Sequence, residues 1–306
     1  MRKPLVAALL ALVTAGAGAA PAVATPAAPA SGSTALAQKD AQKDARKEAG
    51  ALPARQAAGA VPAAVDFAGT VALSNCSGSV VRLPGSADGD PALVLTNGHC
   101  LETGFPAPGQ VLVDRSSSRT FGLLDSAGTR VATLRADRIV YATMTDTDAA
   151  LYRLTSTYAR IKSSYGIDAL TLDDTRPAAG TAIKVVSGYW KRIYSCAIDG
   201  FAHRLKEGGW TWKDSVRYTP ACDTIGGTSG SPVVDAATGR VVAVNNTGNE
   251  DGARCTVNNP CEVDADGTVT VRRGINYAQQ THQIPACFAA GNRLDLNRSG
   301  CTLPKP

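Results

Sequence analysis

The chain has 306 residues, a formal net charge of +5, eight cysteines, thirty glycines and only 19% charged residues. This length fits one or two domains, and the Gly-rich, charge-poor composition describes a β-rich globular protein rather than a helical bundle. The positive charge is modest and forms no basic stripe, so no nucleic-acid partner is expected.

The first elements are a leader and a spacer. Arg2 and Lys3 precede an apolar run from Leu5 to Val13, and Ala22-Val23-Ala24 offers a small-residue cleavage site. Residues 1–24 therefore read as a secretory signal peptide. The apolar run is too short for an anchor, and no later segment reaches the ~20 apolar residues needed to span a bilayer. No stable membrane association is expected once the signal is removed. Residues 25–64 are Ala/Pro-rich and then charged, from Gln38 to Glu48, with no apolar face to bury. They read as a propeptide, hence a zymogen, or as a flexible linker.

Secretion makes the cysteines intelligible, because an even count in an oxidising compartment reads as a disulfide framework. Cys76, Cys100, Cys196, Cys222, Cys255, Cys261, Cys287 and Cys301 contain no Cys-x-x-Cys pair and no neighbouring histidine cluster. Four disulfides, no structural metal, no cofactor and an extracellular monomer are expected.

Order begins near Val65. Short apolar runs follow, among them Thr70–Leu73, Ser79–Leu83, Ala92–Thr96, Val111–Val113, Arg130–Leu134 and Ala149–Tyr152. After a polar crossover over 156–179 come Ala182–Val186, Arg192–Tyr194, Val216–Tyr218, Val241–Val244 and Val269–Val271. Short strands separated by turn residues predict an all-β sandwich or barrel. The lack of a long amphipathic helix argues against a parallel α/β sheet. The tail from Gln279 to Pro306 is too short for a domain and is expected to pack on the second half through Cys287 and Cys301. The acidic stretch Glu262–Gly267 reads as an Asp-Gly hairpin turn, with a calcium site as its rival.

The chemistry is concentrated in three places. Ile225-Gly226-Gly227-Thr228-Ser229-Gly230-Ser231-Pro232 sets one serine in a small-residue turn, where glycine lets the backbone adopt unusual angles. That suits a nucleophile, with the N–H groups of Gly227 and Ser229 directed at a developing oxyanion. A proline and a valine run follow, unlike the strand-to-helix elbow of an α/β-hydrolase. Of the three histidines, His203 sits among cations and His282 in a polar segment, whereas His99 ends an apolar strand beside Cys100. Asp148 directly precedes the apolar run Ala149–Tyr152, and a carboxylate there needs a partner such as an imidazolium. Asp146 is its competitor, with a turn as its ordinary role.

His99, Asp148 and Ser229 stand in the order of the chymotrypsin type. Thr96-Asn97-Gly98-His99-Cys100 resembles the Thr-Ala-Ala-His-Cys motif of trypsin-like serine proteases. Asp148-Ala149-Ala150-Leu151 resembles their Asp-Ile-Ala-Leu motif, and Gly227–Pro232 resembles Gly-Asp-Ser-Gly-Gly-Pro. The leader resembles those of secreted actinobacterial enzymes. The resemblance implies an all-β fold of two six-stranded antiparallel barrels in a protease domain over 65–306, with barrel 1 at about 65–155 and barrel 2 at about 180–285. It implies a secreted serine endopeptidase of polypeptides. The rivals are an inactive protease-like binding module and an esterase on the same triad.

Thr228 departs from the family, since animal trypsins have an aspartate there that pairs with a freed N-terminus. Gly230-Ser231-Pro232 resembles the bacterial branch that includes glutamyl endopeptidases. Those enzymes carry a histidine on the strand after the serine, and Val242–Gly248 has none. Asp223 lies where trypsins hold the carboxylate of their primary pocket, which implies a preference for Arg or Lys. An Asp-Thr pair here also resembles relatives without that preference. Asn246, Thr247 and Gly248 are expected to form a pocket wall. The family joins the cysteine before the histidine loop to the one after the histidine, which implies Cys76–Cys100. Sequential pairing gives Cys196–Cys222, Cys255–Cys261 and Cys287–Cys301, with Cys222–Cys255 as the main alternative.

Overall fold

A computed structural model describes residues 64–306. The expected signal peptide and all but the last residue of the 25–64 segment lie outside the described residues.

The first half holds β1 (Thr70–Ala72), β2 (Ser77–Arg82), β3 (Pro91–Thr96), β4 (Val111–Ser116), β5 (Thr120–Leu124), β6 (Arg130–Thr143) and β7 (Ala149–Thr157). The order β1-β5-β6-β7-β3-β2 closes on itself through the β1–β2 pairing, giving a six-stranded antiparallel barrel. β4 lies outside the ring against β6. The second half holds β9 (Ala182–Ser187), β10 (Arg192–Glu207), β11 (Trp210–Tyr218), β12 (Pro232–Asp235), β13 (Val241–Gly248), β14 (Cys261–Val263), β15 (Val269–Val271) and β16 (Asn276–Gln280). The order β11-β16-β13-β12-β9-β10 closes through β10–β11 into a second six-stranded barrel, with β14 and β15 continuing beyond β10. The double-barrel expectation holds.

The crossover carries an element that the sequence reading left unassigned. Tyr158–Tyr165 is α1, followed by β8 (Leu170–Thr171). Thr157 caps the helix by accepting the Arg160 N–H at 3.2 Å, and Gly166 ends it at φ 71°. Both signals are in the sequence, but a polar stretch with few apolar positions gives almost no periodicity to find.

Strand alternation explains where the core sits. On β2, Val80 points into the first barrel and Val81 toward the seam between barrels; on β9, Val185 and Val186 divide the same way. Neighbouring side chains of a strand face opposite sides, so strands buried on both faces read as unbroken apolar runs. Leu93, Leu95 and Leu151 from barrel 1 meet Val186, Val234 and Val241 from barrel 2 at this seam. Each such burial contributes roughly 1.5–3 kcal/mol.

The tail differs from expectation. Ile284, Phe288 and Leu303 join the seam cluster rather than the second barrel alone. Asn292 donates to the Pro91 carbonyl at 2.9 Å, and Tyr141 of barrel 1 donates to the Pro304 carbonyl at 3.2 Å. The apolar seam extends past both barrels, and the tail covers it.

The cysteines form Cys76–Cys100, Cys196–Cys222, Cys255–Cys261 and Cys287–Cys301. Cys222 and Cys255 are thus engaged elsewhere and do not bridge each other. Four disulfides on this fold fit an extracellular protein. The 264–268 stretch closes the β14–β15 hairpin, with Asp264 N–H donating to the Thr268 carbonyl at 3.0 Å. Glu262 is taken up by Arg217 and Arg272 rather than facing an open loop.

Candidate active site

Strand pairing brings the histidine and the aspartate together. β3 lies antiparallel to β7 with Thr96 opposite Ala150. The 3-10 turn Gly98–Cys100 after β3 therefore meets the residue entering β7. Asp148 is fully buried, and its Oδ2 lies 2.7 Å from His99 Nδ1, while its Oδ1 accepts the His99 backbone N–H at 3.1 Å. Asn97 donates to the Asp148 carbonyl at 2.8 Å. Asp146, the competitor, instead pairs with Lys213 at 2.7 Å, away from the histidine.

The imidazole is held on other sides too. Phe105 packs edge-on at 5.7 Å between ring centroids. Arg119, itself buried, donates to the Cys100 carbonyl at 2.6 Å and to Tyr152 Oη at 3.0 Å, fixing the histidine loop. Burial disfavours the imidazolium, but the Asp148 charge and hydrogen bond, with a further contribution from Glu207, outweigh it and raise the His99 pKa above its ordinary value.

Ser229 lines the same cleft as His99, as do Asp223, Asn246, Thr247 and Gly248. Its hydroxyl donates to the Asn246 carbonyl at 3.2 Å rather than to the imidazole. Asp223 is exposed at the cleft rim and is not a buried pocket floor. His203 is exposed, and His282 lies in another groove with Phe288 and Arg298.

The serine turn has a defined form. Ile225 accepts the Thr228 N–H at 3.0 Å and Gly227 has φ 87°, a type II turn in which the third residue must tolerate positive φ. Type II and type I turns differ by a flip of the central peptide, here the one joining Gly226 to Gly227. Trp190 Nε1 donates to the Gly226 carbonyl at 2.7 Å, holding that peptide in the type II sense. Thr228 is satisfied without an ion pair: its hydroxyl donates to the Ile225 carbonyl at 2.5 Å and accepts from Asn245 at 3.1 Å. Gly230 passes so close to the Ser77 carbonyl and the Thr96 hydroxyl that a Cβ would collide with both. Ser77 N–H donates to the Ser229 carbonyl at 2.8 Å, and the Ser77 hydroxyl reaches the Gly227 carbonyl at 3.3 Å.

One residue of the cleft escaped the sequence reading. Glu207, at the end of β10, is 7% exposed, and its Oε1 accepts the Asn258 N–H at 2.9 Å. Its Oε2 is buried without a hydrogen-bond partner. Burial raises the Glu207 pKa, against the pull of the Thr247 hydroxyl, the Asn258 N–H and the His99 charge.

A family model described as a trypsin-like peptidase domain matches residues 76–244. No curated protein gives a significant match. Among solved structures, the active form of the Rv3671c protease of M. tuberculosis is 15% identical with a TM-score of 0.45, covering 79% of this chain and 85% of its own. The MamO protease domain of Magnetospirillum magneticum is 13% identical with a TM-score of 0.42, covering 70% and 92%. A Nocardiopsis protease is 14% identical with a TM-score of 0.39, covering 71% and 93%.

Proposed function

The chain belongs to the trypsin-like peptidase family, and from that premise we propose that it is a secreted serine endopeptidase working through Ser229, His99 and Asp148. The observation that carries this reading is the fully buried Asp148 bonded to His99 Nδ1, in a cleft shared with Ser229. A hydrogen at Nδ1, directed to the carboxylate, leaves Nε2 as the free base.

In this mechanism the Ser229 hydroxyl turns from the Asn246 carbonyl to His99 Nε2. Serine Oγ attacks the substrate carbonyl as its proton passes to His99, and Asp148 stabilises the imidazolium. The oxyanion is met by the N–H groups of Gly227 and Ser229, the first oriented by the type II turn. His99 then gives its proton to the leaving amine, and water resolves the acyl-enzyme by the same route. A peptide is favoured over a simple ester by β13. Its pairing with β12 ends at Pro232–Val244, so Asn246–Gly248 run on into the cleft past their neighbour. An extended substrate can add there as a strand. Secretion rests on the 1–24 leader and accords with the four disulfides.

The test is hydrolysis of peptide substrates by the mature protein, together with labelling by a fluorophosphonate. Ser229→Ala is expected to abolish labelling and lower turnover by about a millionfold, the size found in comparable knockouts. Undiminished peptidase activity in that variant would sink the assignment.

A further inference from the structure

Three carboxylates are buried among the described residues: Asp148, Glu207 and Glu262. Asp148 has His99, and Glu262 has Arg217 at 3.0 Å and Arg272 at 3.1 Å. Glu207 makes no ion pair with any described residue and has only the cationic charge of His99 acting on it from a distance. A buried carboxylate without an ion pair is costly, and its persistence points to a partner that arrives from outside.

The surroundings of Glu207 narrow what that partner is. It lines the cleft that holds His99 and Ser229, a space of about 310 Å³. The other titratable groups on that lining besides His99 are Asp223 and Glu250, and among the described residues no lysine or arginine lines it. The chain carries net positive charge, yet its cleft is acidic. The same cleft carries apolar surfaces, Trp210, Phe105 and Val257, the last two each 53% exposed. Asn246 in the same wall has a buried side-chain amide with neither oxygen nor nitrogen hydrogen-bonded. Aromatic and aliphatic surface in one cleft with a carboxylate that lacks an ion-pair partner suits a long alkyl stem with a cationic head. An acidic side chain would meet three like charges.

We propose that Glu207 anchors a side-chain subsite for a lysine or arginine of the polypeptide substrate, an inference that rests on the peptidase reading above. The exposed Asp223 and Glu250 attract the cation, and Glu207 receives it. The Asn258 N–H engages only Oε1, so Oε2 keeps its lone pairs for the incoming cation. Glu207 is a specificity residue here. It takes no part in the bond-making steps.

The test is a cleavage profile of the mature protein on a mixed peptide library, followed by kcat/KM on a matched pair of peptides. The pair differs only in carrying lysine or its neutral isostere norleucine at the selected position. A basic residue is expected to be enriched at one position near the scissile bond. Glu207→Gln should lower kcat/KM for the lysine peptide by at least about tenfold and leave the norleucine peptide within about twofold, since a tenfold change corresponds to about 1.4 kcal/mol of lost interaction. Glu207→Lys should reverse the preference. Fluorophosphonate labelling at the wild-type rate shows that the variants keep their catalytic groups, so a folding defect cannot imitate the result. Cleavage without basic preference, or a preference that survives Glu207→Gln and disappears in Asp223→Asn, overturns the subsite while leaving the peptidase reading intact. Absence of both labelling and cleavage in the wild type overturns the two together.

Discussion

Replacing Trp190 by phenylalanine isolates one hydrogen bond. It removes the Nε1–H that donates to the Gly226 carbonyl at 2.7 Å and keeps an aromatic ring over the turn. The bond is neutral, and Trp190 is 49% exposed, so its net worth is about 1 kcal/mol. In the proposed mechanism that energy biases the 226–227 peptide toward the orientation that sends the Gly227 N–H to the oxyanion. Losing it all lowers kcat by roughly fivefold, far short of the ~100- to 1,000-fold lost when an oxyanion donor is removed outright. The remaining bias comes from Thr228, whose N–H and hydroxyl both donate to the Ile225 carbonyl and close the turn. The assay is steady-state hydrolysis of a peptide anilide, with inhibition by a peptide boronate and by the cleaved product peptide. Trp190→Phe should lower kcat and weaken the tetrahedral boronate by the same factor, while KM and product binding stay within about twofold. An unchanged kcat, or equal weakening of boronate and product, would mean that the Trp190 hydrogen bond does not set the turn.

Two further predictions concern charge. Asp148→Asn should lower kcat near neutral pH by about 10⁴, the size of the loss on the same change in a Ser-His-Asp triad. The base must be neutral, and Asp148 raises the His99 pKa. Activity in the wild type should therefore fall, as pH drops, through a value above the ordinary histidine pKa of about 6.5. In Asp148→Asn the residual activity should persist to lower pH, read from kcat/KM against pH. Glu207 has its pKa raised on folding, so the unfolded chain ionises it more readily. Below the unfolded pKa both states hold the proton and the group has no effect; as pH rises through the folded pKa, stability is lost. Glu207→Gln should thus raise the melting temperature at pH 7–8 and leave it nearly unchanged at acid pH, as followed by calorimetry.

The double barrel was legible because its strands are short, apolar and separated by turn residues. The histidine, aspartate and serine stretches were legible because each sits at a strand end within a recognisable local motif. Their mutual geometry was not: the 2.7 Å contact between His99 and Asp148 depends on the Thr96–Ala150 register, which no local pattern encodes. Trp190 and Glu207 were missed for the same reason. Each lies at the end of a β-strand or turn, and only the closing of the second barrel brings Trp190 to the Gly226 carbonyl and Glu207 to the cleft. The tail was placed on one barrel because sequence gives the spacing of Cys287 and Cys301 but not the direction of the seam that Phe288 and Leu303 fill.

Ser77 gives the cleft a mechanical character. This residue of barrel 1 holds the Ser229 carbonyl and touches Gly227, and it follows Cys76, whose bridge runs to the neighbour of His99. The Ser229 turn and the His99 loop are therefore riveted to one strand, across a seam that the tail straps shut. Domain closure cannot be the way this molecule grips a ligand, because parting the barrels would pull the serine turn away from Ser77. Adaptation to different ligands must come from the rim, in the segments around Phe105, Ile225 and Val257. Evolution could reshape those segments freely while the riveted centre stayed constant.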